Sequence, residues 1–130
     1  MRLVRFVVAE LHPDSGRKLG VVQVAFRLRN CGELPSADHQ TVSAIIDWLN
    51  DNLPKPEKFT RKRNDSHRRP RALSWIKDSA FEHLAKIREL AALVEARGIV
   101  VETIYTERPG YVVYEDEFQV VAEPFADTGA

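Results

Sequence analysis

Leu3 to Leu11 carries apolar side chains on both alternating faces, with Leu3, Val7 and Ala9 on one and Val4, Phe6 and Val8 on the other. That pattern predicts an inner strand covered by helices on at least one face, and His12-Pro13-Asp14-Ser15-Gly16 ends it with turn chemistry. Lys18 to Asn30 fits two templates. Val22, Val24, Phe26 and Leu28 alternate with Gln23, Ala25, Arg27 and Arg29 as a half-buried strand would, while Leu19, Val22, Ala25, Phe26 and Arg29 keep helical spacing and Gly32 falls where a helix C′ glycine belongs. Asp38 to Leu53 predicts a helix, capped by Ser36 or Asp38, with Val42, Ile45, Ile46, Leu49 and Leu53 as its apolar stripe and Pro54-Lys55-Pro56 as its stop.

Further along, Ile76, Ala80, Leu84, Ile87, Ala91 and Val94 recur at spacings of four, four, three, four and three. They predict a long helix over Trp75–Arg97, capped by Ser74 and closed by Gly98. Ile99 to Thr106 reads as a strand. Arg108 to Phe125 then alternates turn residues with β-rich runs, as two linked hairpins would. Pro109-Gly110 has the chemistry of a type II turn, and Glu115-Asp116-Glu117 forms an acidic tip. The expected fold is α+β, in the order β-α-α-α-β-β-β, with helices packed on one face of an antiparallel-rich sheet. The alternative makes residues 18–29 a strand.

At 130 residues the chain has the length of one domain, and 44% apolar with 29% charged residues is ordinary globular composition. No run approaches the roughly 20 apolar residues of a membrane span. Arg5 interrupts the short apolar run at the N-terminus, and no small-residue cleavage site follows it, so a cytoplasmic protein is expected. Cys31 is the only cysteine, which excludes an intramolecular disulfide and a cysteine-built zinc site; it reads as a small apolar residue at the end of an element.

Net charge is zero, but it is distributed unevenly. Lys55 to Arg71 holds eight basic residues against Glu57 and Asp65, a net of +6, whereas residues 102–130 hold seven acidic residues against Arg108, a net of −6. The basic Pro/Arg-rich stretch, about 54–72, reads as a long loop. Residues 57–71 have little apolar content to offset roughly 1–2 kcal/mol per residue of ordering entropy, so they are expected to be the least ordered internal stretch.

Three stretches resemble a family of small uncharacterised bacterial proteins: Trp48-Leu49 with Leu53-Pro54-x-Pro56, then Ala72-Leu73-Ser74-Trp75-Ile76-Lys77, then the Arg-Pro-Gly-Tyr-x-x-Tyr-Glu-Asp-Glu-x-Gln-Val-Val-Ala-x-Pro-Phe pattern of Arg108–Phe125. The resemblance implies helix over Lys18–Asn30, a region that is alanine-rich in that family. It implies no activity, substrate or partner.

Candidate binding residues fall in two groups. Arg61, Lys62, Arg63, Arg68, Arg69 and Arg71 would neutralise phosphates or meet an acidic protein, with Trp75 just beyond them as an aromatic; the plainer alternative is a solvated loop, or one folded against the acidic C-terminal hairpins. Glu115, Asp116 and Glu117 are adjacent, so in a strand they would alternate faces rather than converge on a cation, and no metal site is expected. Trp48 and Trp75 read as packing at two helix ends or, alternatively, as a shared aromatic wall of a ligand cleft. His12, His39, His67 and His83 are scattered, and Glu82-His83 lacks the second histidine of a zinc motif. No glycine-rich phosphate loop or nucleophile elbow is present. No catalytic residue and no cofactor are assigned.

The expected function is therefore a non-catalytic binding or interaction protein. The alternatives are a nucleic-acid-binding module using the basic loop, or a small enzyme built on His83 or the carboxylates. A homodimer is expected from an exposed strand edge around Val120-Val121-Ala122, followed by Phe125.

Overall fold

The computed structural model describes residues 2–13, 16–53 and 72–125. The basic stretch, with the disorder expected of it, lies outside the described residues except at Ala72. Among the described residues the fold is α+β, with three helices and a six-stranded antiparallel sheet. In chain order the elements are β1 (Leu3–Leu11), β2 (Lys18–Gly20), α1 (Val21–Asn30), α2 (Ser36–Asn52), β3 (Leu73–Lys77), α3 (Phe81–Glu95), β4 (Glu102–Thr106), β5 (Tyr111–Glu115) and β6 (Gln119–Glu123). The order thus gains two strands, β2 and β3, over the one expected.

β1 is the hub. Leu3 and Val4 pair with Lys77 and Ile76 of β3, and also with Thr106 and Tyr105 of β4. One residue has only two edges, so β3 and β4 lie on opposite sides of β1. β2 pairs with the C-terminal half, Val7 to Gly20 and Leu11 to Lys18. β6 lies between β3 and β5. Period-two alternation then sorts the faces. Val4, Phe6, Val8 and Ile76 join Val24, Leu28, Val42, Ile45, Leu84, Ile87 and Leu90 of the helices in one core. Leu3, Leu73, Trp75, Val120 and Ala122 form a second cluster on the other face.

Residues 18–30 satisfy both readings in succession: three residues of strand, then helix. Because α1 starts only at Val21, its buried face is Val21, Val24, Ala25 and Leu28 rather than the expected stripe, and Phe26 stays about half exposed. Its end is a Schellman motif. Gly32 (φ 71°) donates to the Arg29 carbonyl, and Glu33 donates to that of Leu28. α2 begins after Pro35, which is the N-cap; neither Ser36 nor Asp38 caps it, and Asp38 instead lies in the first turn, where a carboxylate favours the helix dipole.

Two further expectations are corrected. Ser74 caps nothing, and Trp75 does not open a helix. Residues 73–77 form β3, because β1 and β6 satisfy both of that segment's edges, and α3 starts only at Phe81. Its matching spacing from Ile76 and Ala80 into Leu84 is coincidental. Of the two expected hairpins only β5–β6 exists. β4 pairs with β1 and β5 with β6, which puts β4 and β5 at opposite edges of the five-strand array.

Thr106 and Tyr111 are five residue steps apart, a reach of at most about 18 Å, whereas four flat strand spacings alone amount to roughly 19 Å. The sheet must therefore curl strongly so that its edges approach. The curl helps enclose the second cluster. Gly110 (φ 130°) precedes the Tyr111–Glu123 pair of β5 and β6, and an added Cβ there would lie 1.9 Å from the Glu123 carbonyl oxygen. Val120-Val121-Ala122 is an internal, buried strand rather than an exposed edge, so the argument for a homodimer from that edge is withdrawn.

Leu90→Ala removes a fully buried side chain from the helix-side core and should lower stability by about 2–5 kcal/mol. Gly110→Ala should lower it by at least about 2 kcal/mol through backbone strain and overlap. Urea unfolding followed by circular dichroism checks both, with the midpoint falling and the slope unchanged.

Candidate functional site

The end of α2, the start of α3 and the β5–β6 turn enclose an open groove of about 550 Å³. It is lined by Trp48, Asp51 and Asn52, by Ser79 to His83, and by Phe118. Helix termini create it. The last carbonyls of α2 have no partner within the helix. Leu49 O accepts from Leu53 N, Trp48 O accepts from the Asn52 side chain at 2.9 Å, and Asn52 O lies 2.8 Å from His83 Nε2. A carbonyl only accepts, so Nε2 carries the proton, and in the neutral ring Nδ1 is left as an acceptor. His83 is buried, sandwiched between Trp48 (edge-on, centroids 4.9 Å apart) and Phe118 (stacked, 4.3 Å). Its orientation is thus fixed by three neighbours from two other elements.

Phe81 is 77% exposed, an unusual state for a phenylalanine beside a groove. Asp51 and Glu82 stand exposed at the rim, and among the described lining residues there is no lysine or arginine. The C-terminus of α2 and the N-terminus of α3 each contribute about half a charge, of opposite sign, so they largely cancel. Two carboxylates remain among the described lining residues. Lys86 Nζ already lies 5.7 Å from the Trp48 ring centroid, so a cation rests against one wall.

The residues expected from sequence are distributed otherwise. Arg61, Lys62, Arg63, Arg68, Arg69 and Arg71 lie outside the described residues. Trp75 is fully buried in β3 on the sheet face opposite the helices, so it forms no common wall with Trp48. The acidic tip does not converge. Glu115 pairs with Lys77 Nζ at 2.7 Å, Glu117 is exposed, and Asp116 is consumed by the turn itself. Its Oδ1 accepts from the Phe118 and Gln119 amides (2.8 and 3.0 Å), and its Oδ2 from the Tyr114 hydroxyl and the Gln119 side chain (2.9 and 3.0 Å). Among the described residues no group of three or more His, Cys, Asp or Glu side chains is placed to hold a metal ion. No described helix is long and apolar enough to cross a membrane.

His83, Phe81 and Phe118 are the residues that sequence reasoning missed. His83 was expected only as a metal ligand or as part of a small enzyme's site, and nothing local announces that it meets the end of α2 thirty-one residues earlier. No family model, curated protein or solved structure matches the chain, so the family resemblance rests on its quoted residues alone.

Desolvation pushes the Asp116 carboxyl upward, but its four hydrogen bonds together outweigh this and hold it below the usual aspartate range. A depressed carboxyl stabilises the fold above its unfolded pKa, and that contribution fades as pH falls through the lower folded value. Asp116→Ala should therefore lower stability at pH 7 by about 1–2 kcal/mol, the low end for a charged acceptor because the site is partly solvated. The difference from wild type should shrink below about pH 4. Urea midpoints measured from pH 7 to pH 2 check this.

Proposed function

We propose that the protein is a non-catalytic binding protein whose groove receives a lysine or arginine side chain presented by a protein or peptide partner. The observation that carries this reading is the combination, within one groove, of aromatic walls, two rim carboxylates and an oriented imidazole. Trp48, Phe81 and Phe118 offer ring faces that attract a cation. Asp51 and Glu82 supply the opposite charge. His83 Nδ1, oriented by the bond from Nε2–H to the Asn52 carbonyl, accepts an N–H from the ligand. The volume suits one long side chain with its flanking backbone.

Lysine and arginine tripeptides, titrated while following tryptophan fluorescence, should give a saturable change that triglutamate does not. Phe81→Ala should weaken binding at least about fivefold, or about 1 kcal/mol, while leaving the unfolding midpoint almost unchanged because the side chain is exposed. The double change Asp51→Asn with Glu82→Gln should weaken binding and remove most of its salt dependence. Equal affinity for triglutamate, or wild-type binding by Phe81→Ala, would refute the reading.

A further inference from the structure

On the sheet face away from the helices, Arg5 is buried at 8% exposure and Trp75 is completely buried. The β1–β3 register, Leu3 to Lys77 and Val4 to Ile76, continues to place Arg5 opposite Trp75. The guanidinium carbon lies 5.5 Å from the Trp75 ring centroid. Arg5 Nη2 donates to the Lys18 carbonyl at 3.1 Å, yet Arg5 Nη1 and Trp75 Nε1 are sealed from solvent without any acceptor. Two such donors side by side are rare, because buried N–H groups normally find partners.

The carboxylates in register on this face are engaged elsewhere: Glu102, opposite Val7, by Lys18 at 2.6 Å and Glu115, opposite Val120, by Lys77 at 2.7 Å. Arg17 adds a second positive charge nearby. Burial, and then the positive charge of Arg17, push the Arg5 guanidinium down to about 10.

We infer that Arg5 and Trp75 form a buried oxyanion site, in which one carboxylate or phosphate group accepts from Arg5 Nη1–H and Trp75 Nε1–H together. A guanidinium N–H and an indole N–H both donate to the oxygens of such a group. The donors are sealed from water, so entry requires the face to open locally. The site shares no residue with the groove and stands or falls separately from it.

Nitrogen–proton correlation spectra of the full chain test the inference, since the two tryptophans give two indole resonances, assigned with Trp48→Phe. Sodium phosphate and sodium acetate, each against chloride at matched ionic strength, form the two arms. The Trp75 indole proton should move downfield saturably with at least one anion while that of Trp48 stays in place. The arm saturating at lower concentration identifies phosphate or carboxylate as the chemistry. Arg5→Met should abolish the shift in a protein that still gives a folded spectrum. Should that variant not fold, Arg5→Lys, which keeps the charge but loses the fork, should weaken the response at least tenfold. A Trp75 resonance that ignores both anions up to tens of millimolar, or responds equally in the Arg5 variant, would overturn the site.

Discussion

Strand β1 has two edges and two faces, and the fold uses all four. Its first five residues are hydrogen-bonded to β4 on one edge, its first two also to β3 on the other, and its C-terminal half to β2. Val4, Phe6 and Val8 accept the helices, which leaves Leu3, Arg5 and Val7 pointing the other way. Because side chains alternate strictly, a one-residue slip would turn Leu3, Arg5 and Val7 together toward the helices and Val4, Phe6 and Val8 away from them. The buried arginine is thus a consequence of register. The helix core could not form as it does unless β1 carried Arg5 inward on its second face.

How much of this was legible follows from the length of each signal. β1 and α2 could be read because their periodicity runs for many residues and ends in proline or turn chemistry. β3 could not: five residues, Leu73 to Lys77, adjoin a helix whose spacing Ile76 and Ala80 happen to continue, and only pairing with β1 and β6 decides between strand and helix. α1 was recognised with the wrong face inward, since its phase is set by where β2 stops. Sequence neighbours β4 and β5 suggested a hairpin, the usual default. A long-range choice, β4 for β1 and β5 for β6, overrode it. Asp116 was the opposite case. Its spacing to Phe118 and Gln119 is the local signature of an aspartate-stabilised turn, visible in sequence but eclipsed by the acidic run around it.

The site was less legible than the fold, for a physical reason. Trp48, His83 and Phe118 lie far apart in sequence and meet only because the end of α2, the start of α3 and the β5–β6 turn converge. A histidine that satisfies a helix-terminal carbonyl has no sequence motif. The two tryptophans illustrate the same limit. Each looked like a helix-end aromatic, yet the sheet separates them, one beside an open groove and one in the sealed second cluster.

The groove's walls differ in stiffness, and that difference bears on how it would bind. His83 is held by the Asn52 carbonyl and by two rings, and the turn leading into α3 is tied down by Asp78 N to Arg2 O and Ala80 N to Lys77 O. These groups need no ordering when a ligand arrives, so little of the contact energy there is lost to entropy. Phe81 is the exception: mostly exposed, it has to settle onto its ligand. The carboxylates of Asp51 and Glu82 stand in solvent, where charge governs encounter rate and salt sensitivity more than residence time. Residence should then depend on the fixed aromatic floor and Phe81, and discrimination between lysine and arginine on the single acceptor at His83 Nδ1. One acceptor satisfies only one N–H, so the five donors of a guanidinium would be poorly matched. The compact ammonium of lysine is the better fit to a site with one oriented acceptor and two distant carboxylates.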